Sequence, residues 1–143
     1  GAALAAMLAR MDAPGWHADK SAAAELQQPL SRLCAHYLIS AKQGKEPLDP
    51  VERFHMRNGA RLERINLLAD TSPNGIQRSA GLMVNYVYRL ADVERNHELY
   101  TKEYKIVSSH HIAWLAKQSG LAAVPADRTM PPAQPVELAS PAP

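Results

Sequence analysis

His55 is the residue in this sequence best suited to acid–base chemistry. It lies in the segment FHMRNGA, on a short helix predicted over residues 50–58. A histidine side chain has an ordinary pKa of about 6.5, so it can donate or accept a proton near neutral pH. Asn58 follows three residues later and can share the same helical face, which makes it a candidate orienting group. Without further context, a histidine between Phe54 and Met56 is more often a packed or surface residue.

A glycine, an amide and a phenol form a second candidate group. Gly81, Asn85 and Tyr88 occupy positions i, i+4 and i+7 of a helix predicted over residues 73–91. A missing side chain beside an amide and a phenol suits a ligand or a partner backbone. Close packing between helices is the alternative interpretation.

Arginine is dense on either side of His55. Guanidinium groups pair well with phosphate oxygens, so these residues are candidates for a phosphate-bearing substrate, Arg57 among them. A solvated face is the alternative. His110 and His111 are adjacent on a predicted helix and therefore point apart, and no cysteine or carboxylate cluster completes a metal site. We expect no metal. The four arginines are Arg53, Arg57, Arg61 and Arg64.

The elements that must position these residues are mostly helical, and the predicted fold class is α+β. The clearest helix follows Pro29, because its apolar residues recur at intervals of three and four. Two segments, 60–69 and 98–107, favour strands. The predicted helices cover residues 2–11 and 20–28, a third that begins at Pro29, residues 50–58 and 73–91, and a last one that Ser108 caps and Gly120 ends.

Length and composition predict one domain and a tail. The 143 residues are 46% hydrophobic and 21% charged, which is ordinary for a folded domain. We assign residues 1–120 to that domain and residues 121–143, rich in alanine and proline, to a disordered tail. No apolar run approaches the roughly 20 residues of a membrane span, and the net charge of +2 gives no indication of a nucleic-acid partner.

The single cysteine, Cys34, fits a reducing compartment, so we expect a cytoplasmic protein. The chain starts with Gly1 inside a helix-like pattern, which we interpret as the start of a fragment.

Three blocks carry a family resemblance. PLSRLCAHYL (29–38), DPVERFHMRNGARLERINLLAD (49–70) and SAGLMVNYVYRL (79–90) occur in the order and at the spacing seen in malonyl-CoA decarboxylases. Over about residues 1–118 the chain resembles the C-terminal part of the catalytic domain of that family. The resemblance implies an acetyltransferase-like (GNAT-like) acyl-CoA-binding fold, preceded in the whole enzyme by a separate helical domain.

The resemblance also implies a reaction and its residues. Family members convert malonyl-CoA to acetyl-CoA and carbon dioxide without metal or organic cofactor, with a serine and a histidine in the acyl-CoA cleft. The histidine corresponds to His55, and the tyrosine of the family's NY-x-Y motif corresponds to Tyr88. The serine belongs to an upstream segment that this sequence does not contain. We therefore expect the chain to be inactive alone, with Arg57, Asn58 and Asn85 as candidate substrate-binding residues.

Two other classes of function stay open at this point. One is a non-catalytic acyl-CoA-binding or regulatory module that kept the fold, and the other is a small helical interaction domain, which requires the motif match to be accidental. Missing sheet strands would leave apolar surface exposed, so we expect the chain to associate with itself or with the upstream segment. We expect the complete protein to be a homo-oligomer.

Overall fold

The computed structural model describes residues 1–120 and has an α+β architecture, as predicted. The predicted tail, residues 121–143, lies outside the described residues. The elements are α1 (Ala2–Met11), a 3-10 turn (Trp16–Ala18), α2 (Lys20–Ser40), β1 (Lys42–Gln43), β2 (Glu46–Pro47), α3 (Pro50–Arg57), β3 (Arg61–Asn66), α4 (Pro73–Ser79), β4 (Met83–Val87), α5 (Leu90–Glu103) and α6 (His110–Lys117).

Helix α2 runs without a break through Pro29, where two helices were predicted. Asp19 caps it as expected, since its carboxylate accepts hydrogen bonds from the backbone N–H groups of Ser21 and Ala22. Proline lacks the N–H that would bond to the carbonyl four residues earlier, and this usually interrupts a helix. Here Leu26 and Leu30, which lie on either side of Pro29, are both 3% exposed, so α2 is packed against the protein before and after the proline. Tertiary packing therefore outweighs the local penalty.

The single helix predicted over residues 73–91 is wrong. Helix α4 ends at Ser79 because Ala80 and Gly81 adopt left-handed backbone conformations, with φ of 52° and 75°. The chain then forms β4, which pairs antiparallel with β3. Valine favours strands, and the ladder to β3 supplies the backbone hydrogen bonds that a helix would have made internally. The predicted helical face of Gly81, Asn85 and Tyr88 therefore does not exist.

The strand predicted over residues 98–107 is also wrong, because α5 extends to Glu103. Its buried residues Asn96 and Tyr100 are four apart, which is the spacing of one helical face. After α5 the chain runs beside β3: Leu62 donates its N–H to the Val107 carbonyl and accepts from the Ser109 N–H, both at 2.9 Å. Ser109, one residue later than predicted, caps α6.

The main core lies between the β3–β4 pair and the helices around it. Leu62 of β3 and Ile112 of α6 are completely buried, and Met56 anchors α3 in the same cluster. A second, smaller cluster joins α1, the 3-10 turn, α2 and α4 around Trp16. Helix α3 thus has one face in the main core, which leaves its other face available to the site described below.

Gly59 closes the junction between α3 and β3. Its φ is +85°, and a Cβ at this position would lie 2.3 Å from the carbonyl oxygen of Val93 in α5. Gly44, in the β1–β2 turn, also has a positive φ of +64° but has no atom within 4 Å of such a Cβ. Both glycines therefore need a left-handed backbone conformation, but only Gly59 has a neighbouring atom that a Cβ would clash with.

We predict that Gly59→Ala destabilises the fold much more than Gly44→Ala. Both substitutions impose a left-handed alanine, but only the first forces α3 away from α5, an extra cost of roughly 1–3 kcal/mol. Urea unfolding of the two variants beside wild type measures the difference. Equal losses of stability would contradict the proposed contact between Gly59 and α5.

Candidate active site

His55 and Tyr88 come from different elements and meet at hydrogen-bond distance. His55 is on α3, and Tyr88 directly follows β4. The Nδ1 atom of His55 lies 2.6 Å from the hydroxyl oxygen of Tyr88. This contact persists in either protonation state of the ring, since the phenol can donate to a neutral Nδ1 or accept from a protonated one. The hydrogen bond therefore fixes the orientation of the imidazole.

Tyr86 forms the base on which the imidazole lies. Its ring is stacked on His55 with centroids 4.2 Å apart and planes inclined by 15°. Tyr86 and Tyr88 are two residues apart, so they project from the same face of the strand and reach the histidine together. The stack therefore fixes the plane of the imidazole.

Both tyrosines keep their phenolic protons at physiological pH. Burial raises the pKa of Tyr86 well above its ordinary value of 10.0, and the negative charge of Glu52 raises it further. Desolvation also raises the pKa of Tyr88, although that residue is 46% exposed. Each ring is thus a neutral group beside His55.

Helix α3 is fixed at both ends, and this fixes the position of His55. At its start the carboxylate of Asp49 accepts a hydrogen bond of 2.8 Å from the Glu52 N–H. At its end the Nδ1 atom of His97, on α5, lies 2.5 Å from the Arg57 carbonyl oxygen. Asn96 of α5 donates to the Gly59 carbonyl oxygen at 3.3 Å. Helix α5 therefore satisfies backbone carbonyls that the end of α3 leaves free.

The side-chain amides of Asn58 and Asn85 bond to groups other than His55. The amide of Asn58 donates to the Phe54 carbonyl oxygen at 2.8 Å, within α3 itself. Asn85 accepts a hydrogen bond from Asn66 on the neighbouring strand β3. The group that orients His55 is consequently Tyr88, and Asn58 contributes to the closure of the helix.

Three of the four arginines already have side-chain partners. Arg57 forms an ion pair of 2.8 Å with Glu46, and Arg61 pairs with Glu63 at 2.5 Å. Arg53 donates to the side chain of Gln43 at 3.3 Å. The Arg57 side chain is 60% exposed, and its guanidinium has further N–H donors beyond this ion pair. Among the described residues, no group of three or more histidine, cysteine or carboxylate side chains could hold a metal ion.

An apolar cavity of about 630 Å³ lies away from the histidine, between α2 and the α4–β4 connection. Cys34 and Tyr37 line it, together with Arg78, and neither His55 nor Tyr88 does. Burial raises the pKa of the Cys34 thiol to about 11, with smaller contributions from the charges of Glu52 and Asp49. This thiol is therefore a poor nucleophile.

The first comparison with known proteins decides the family. The family model "Malonyl-CoA decarboxylase C-terminal domain" matches residues 2–125. The chain belongs to this family. The resemblance inferred from the three sequence blocks is therefore confirmed. No helix of residues 1–120 is long and apolar enough to cross a membrane.

Individual family members extend the comparison. The malonyl-CoA decarboxylase of Anser anser anser is 42% identical over 103 residues, which are 72% of this chain and 20% of that protein. The enzyme of Rattus norvegicus is 43% identical over 103 residues, 72% of this chain and 21% of that protein. The crystal structure of malonyl-CoA decarboxylase from Rhodopseudomonas palustris aligns with a TM-score of 0.74 and 44% identity, over 76% of this chain and 25% of that one. The chain thus spans about a fifth to a quarter of these relatives.

The comparison corrects the predicted location. The relatives from goose, rat and mouse are each named mitochondrial malonyl-CoA decarboxylase. The prediction of a cytoplasmic protein is wrong on this comparison. It depended on a lone cysteine, and a reduced, half-buried thiol beside the core does not distinguish one reducing compartment from another.

Sequence reasoning missed Tyr86. The segment NYVY holds two tyrosines two residues apart, which share a face only in a strand. The prediction of a helix for this segment separated them and left Tyr88 alone as a candidate.

We predict that Tyr88→Phe shifts the Nδ1 resonance of His55. The hydroxyl bonds to Nδ1 as donor or as acceptor, so its loss removes a hydrogen bond worth about 1 kcal/mol that holds the ring in one orientation. Imidazole ¹⁵N chemical shifts report hydrogen bonding at each ring nitrogen. Tyr104→Phe is the control, because Tyr104 has ring contacts but its hydroxyl makes no hydrogen bond to any of residues 1–120. Unchanged His55 shifts in Tyr88→Phe would contradict the assignment.

Proposed function

We propose that this chain is part of an enzyme that decarboxylates malonyl-CoA to acetyl-CoA and carbon dioxide, with His55 as the proton donor. The observation that carries the proposal is the 2.6 Å contact between His55 Nδ1 and the Tyr88 hydroxyl, inside two of the blocks that match the family. Tyr88 acts as the residue that orients His55. An upstream serine, of the kind found in the family, completes the site.

The reaction needs a proton at one defined atom. When the bond between the α-carbon and the carboxylate breaks, carbon dioxide leaves and the electron pair passes into the thioester as an enolate. The α-carbon then accepts one proton to give acetyl-CoA. The thioester is the electron sink, so the protein must supply donors to the enolate oxygen and an acid near the α-carbon.

The surroundings of His55 suit that acid. The Tyr88 hydroxyl occupies Nδ1 and leaves Nε2 as the nitrogen that can face a substrate. The stacked ring of Tyr86 fixes the plane of the imidazole, so Nε2 keeps one direction. After transfer the neutral ring keeps its hydrogen bond to Tyr88 and does not need to reorient.

Of the candidate binding residues, we keep Arg57 for the coenzyme A phosphates. Its exposed side chain is paired with Glu46, and its guanidinium has further N–H donors beyond this ion pair. We assign Asn58 and Asn85 to helix closure and to strand pairing, because their amides already bond within the chain.

We infer that the described elements are the C-terminal part of an acetyltransferase-like acyl-CoA-binding domain. The β3–β4 pair packs against helices on the core side, as a fragment of a larger mixed sheet would. The chain covers only 20% of the goose relative, which leaves ample sequence in such a protein for further strands and for the serine.

We predict that His55→Ala in the complete protein lowers malonyl-CoA turnover by about two orders of magnitude, the usual loss when a general acid is removed. Circular dichroism should show an unchanged fold. His110→Ala is the matched control, since His110 is an exposed histidine at the start of α6. Near-wild-type turnover in His55→Ala would show that His55 is not the proton donor.

The same assay distinguishes the alternative, a non-catalytic acyl-CoA-binding or regulatory module. Complete wild-type protein that binds malonyl-CoA without releasing carbon dioxide would support that module and contradict the enzyme.

We predict that residues 1–143 alone show no measurable decarboxylation and bind coenzyme A weakly. A proton donor without its serine and most of the cleft loses both positioning and electrostatic stabilisation, which carry most of a rate enhancement. Addition of the upstream polypeptide in trans is expected to restore turnover. Turnover by residues 1–143 at the rate of the complete enzyme would show that the serine is dispensable.

A further inference from the structure

The side chain of Glu52 is completely buried, and no hydrogen bond to it comes from the described part of the chain. It lies in the first turn of α3 with 0% of its surface exposed. Neither Oε1 nor Oε2 has a hydrogen-bond partner among residues 1–120, and the salt bridges of that part of the chain do not include Glu52. A charged carboxylate in this state costs far more free energy than an uncharged carboxyl.

The charges around Glu52 do not compensate for its burial. Desolvation raises its pKa to about 8, the charge of Lys42 lowers it and that of Asp49 raises it. Lys42 is itself partly desolvated, which lowers the pKa of its amine. Glu52 therefore holds a proton at neutral pH. The titratable groups that interact with it electrostatically are Cys34 and Tyr37 on α2, Lys42 on β1, Asp49 at the start of α3, and Tyr86 on β4.

Glu52 is connected to His55 by two routes. The two residues are three apart on α3, so one helical turn joins them. Met56, four residues after Glu52, is 1% exposed and packs in the core on the same buried face. The second route is Tyr86, which stacks on His55 and whose pKa is raised by a charge on Glu52 when that carboxyl ionises.

We propose that Glu52 is a positioning residue for His55, a buried carboxyl that keeps α3 seated on the core only while it retains its proton. Ionisation would place an unpaired negative charge between α2, α3 and β4. Water or a cation must then reach it, and α3 must shift to admit either one. His55 and its stack on Tyr86 would shift with the helix. The catalytic importance of this residue rests on the proposed role of His55, but the measurements below do not.

The effect on stability has a defined sign. The folded chain holds the Glu52 proton more tightly than the unfolded chain, whose carboxyl has the ordinary pKa of 4.5. The stabilisation is fully present below about pH 4.5, falls as the pH rises towards about 8, and is absent above that value. Glutamine has the shape of the protonated acid and cannot ionise.

We expect Glu52→Gln to be less sensitive to alkaline pH than the full wild-type chain. Between pH 5 and pH 9 the melting temperature of wild type should fall by roughly 5 °C or more relative to that of Glu52→Gln. Glu94→Gln is the control, because Glu94 is an exposed carboxylate on α5 with no partner in the described chain, and it should behave as wild type. Parallel curves for wild type and Glu52→Gln would overturn the proposal.

Two NMR titrations of the wild-type full chain need no variant and no substrate. The ¹³C shift of the Glu52 carboxyl should titrate near pH 8, and a midpoint near 4.5 would overturn the proposal. The ring protons of His55 should show a second inflection at the Glu52 midpoint, which a purely structural role would not produce. Titration of Glu52 near pH 8 with no inflection at His55 would overturn the positioning role. Both results stand even if His55→Ala shows that the proposed reaction is wrong.

Discussion

The pairing of β3 with β4 is the contact on which the rest of the structure depends. Strand β3 follows the helix that carries His55 after a junction of only three residues, 58–60, and β4 carries the tyrosine that stacks on it. The register sets Leu62 opposite Tyr86. Between Leu62 and Arg64 the register shifts, as it does at a β-bulge. A slip of one residue would turn Tyr86 and Tyr88 to the opposite face of the pair. The histidine would then lose its hydrogen bond and its stacking partner together.

The register is in turn held by contacts far away in sequence. Leu62 is buried completely and exchanges two backbone hydrogen bonds with the segment that leads into α6. Helix α6 packs on α2, and α5 satisfies the carbonyls at the end of α3. Helices from both ends of the described chain therefore support the β3–β4 pair. The geometry at His55 is a property of this whole arrangement and not of the segment FHMRNGA alone.

Local sequence patterns predicted the elements that local interactions determine. The cap and the proline at the start of α3 specify that helix, and β3 was recognised between Gly59 and Asp70. Strand β4 was missed because its apolar residues also fit a helical stripe, and only pairing with β3 excludes the helix. For the site, the family resemblance supplied His55 and Tyr88. Tyr86 was missed because its stacking partner, His55, is more than 30 positions away in the sequence. Glu52 was missed because its burial depends on how three elements pack together.

The apolar environment of Cys34 has a practical consequence for anyone handling this protein. The sequence contains a single cysteine, and its thiol remains protonated in the native packing beside α4 and β4. Alkylating reagents attack the thiolate, so modification of Cys34 is slow while its surroundings keep the thiol protonated. Any local opening that exposes the thiol to water accelerates the reaction. The labelling rate of this native cysteine is therefore sensitive to the packing of α2 against its neighbours, with no engineered label.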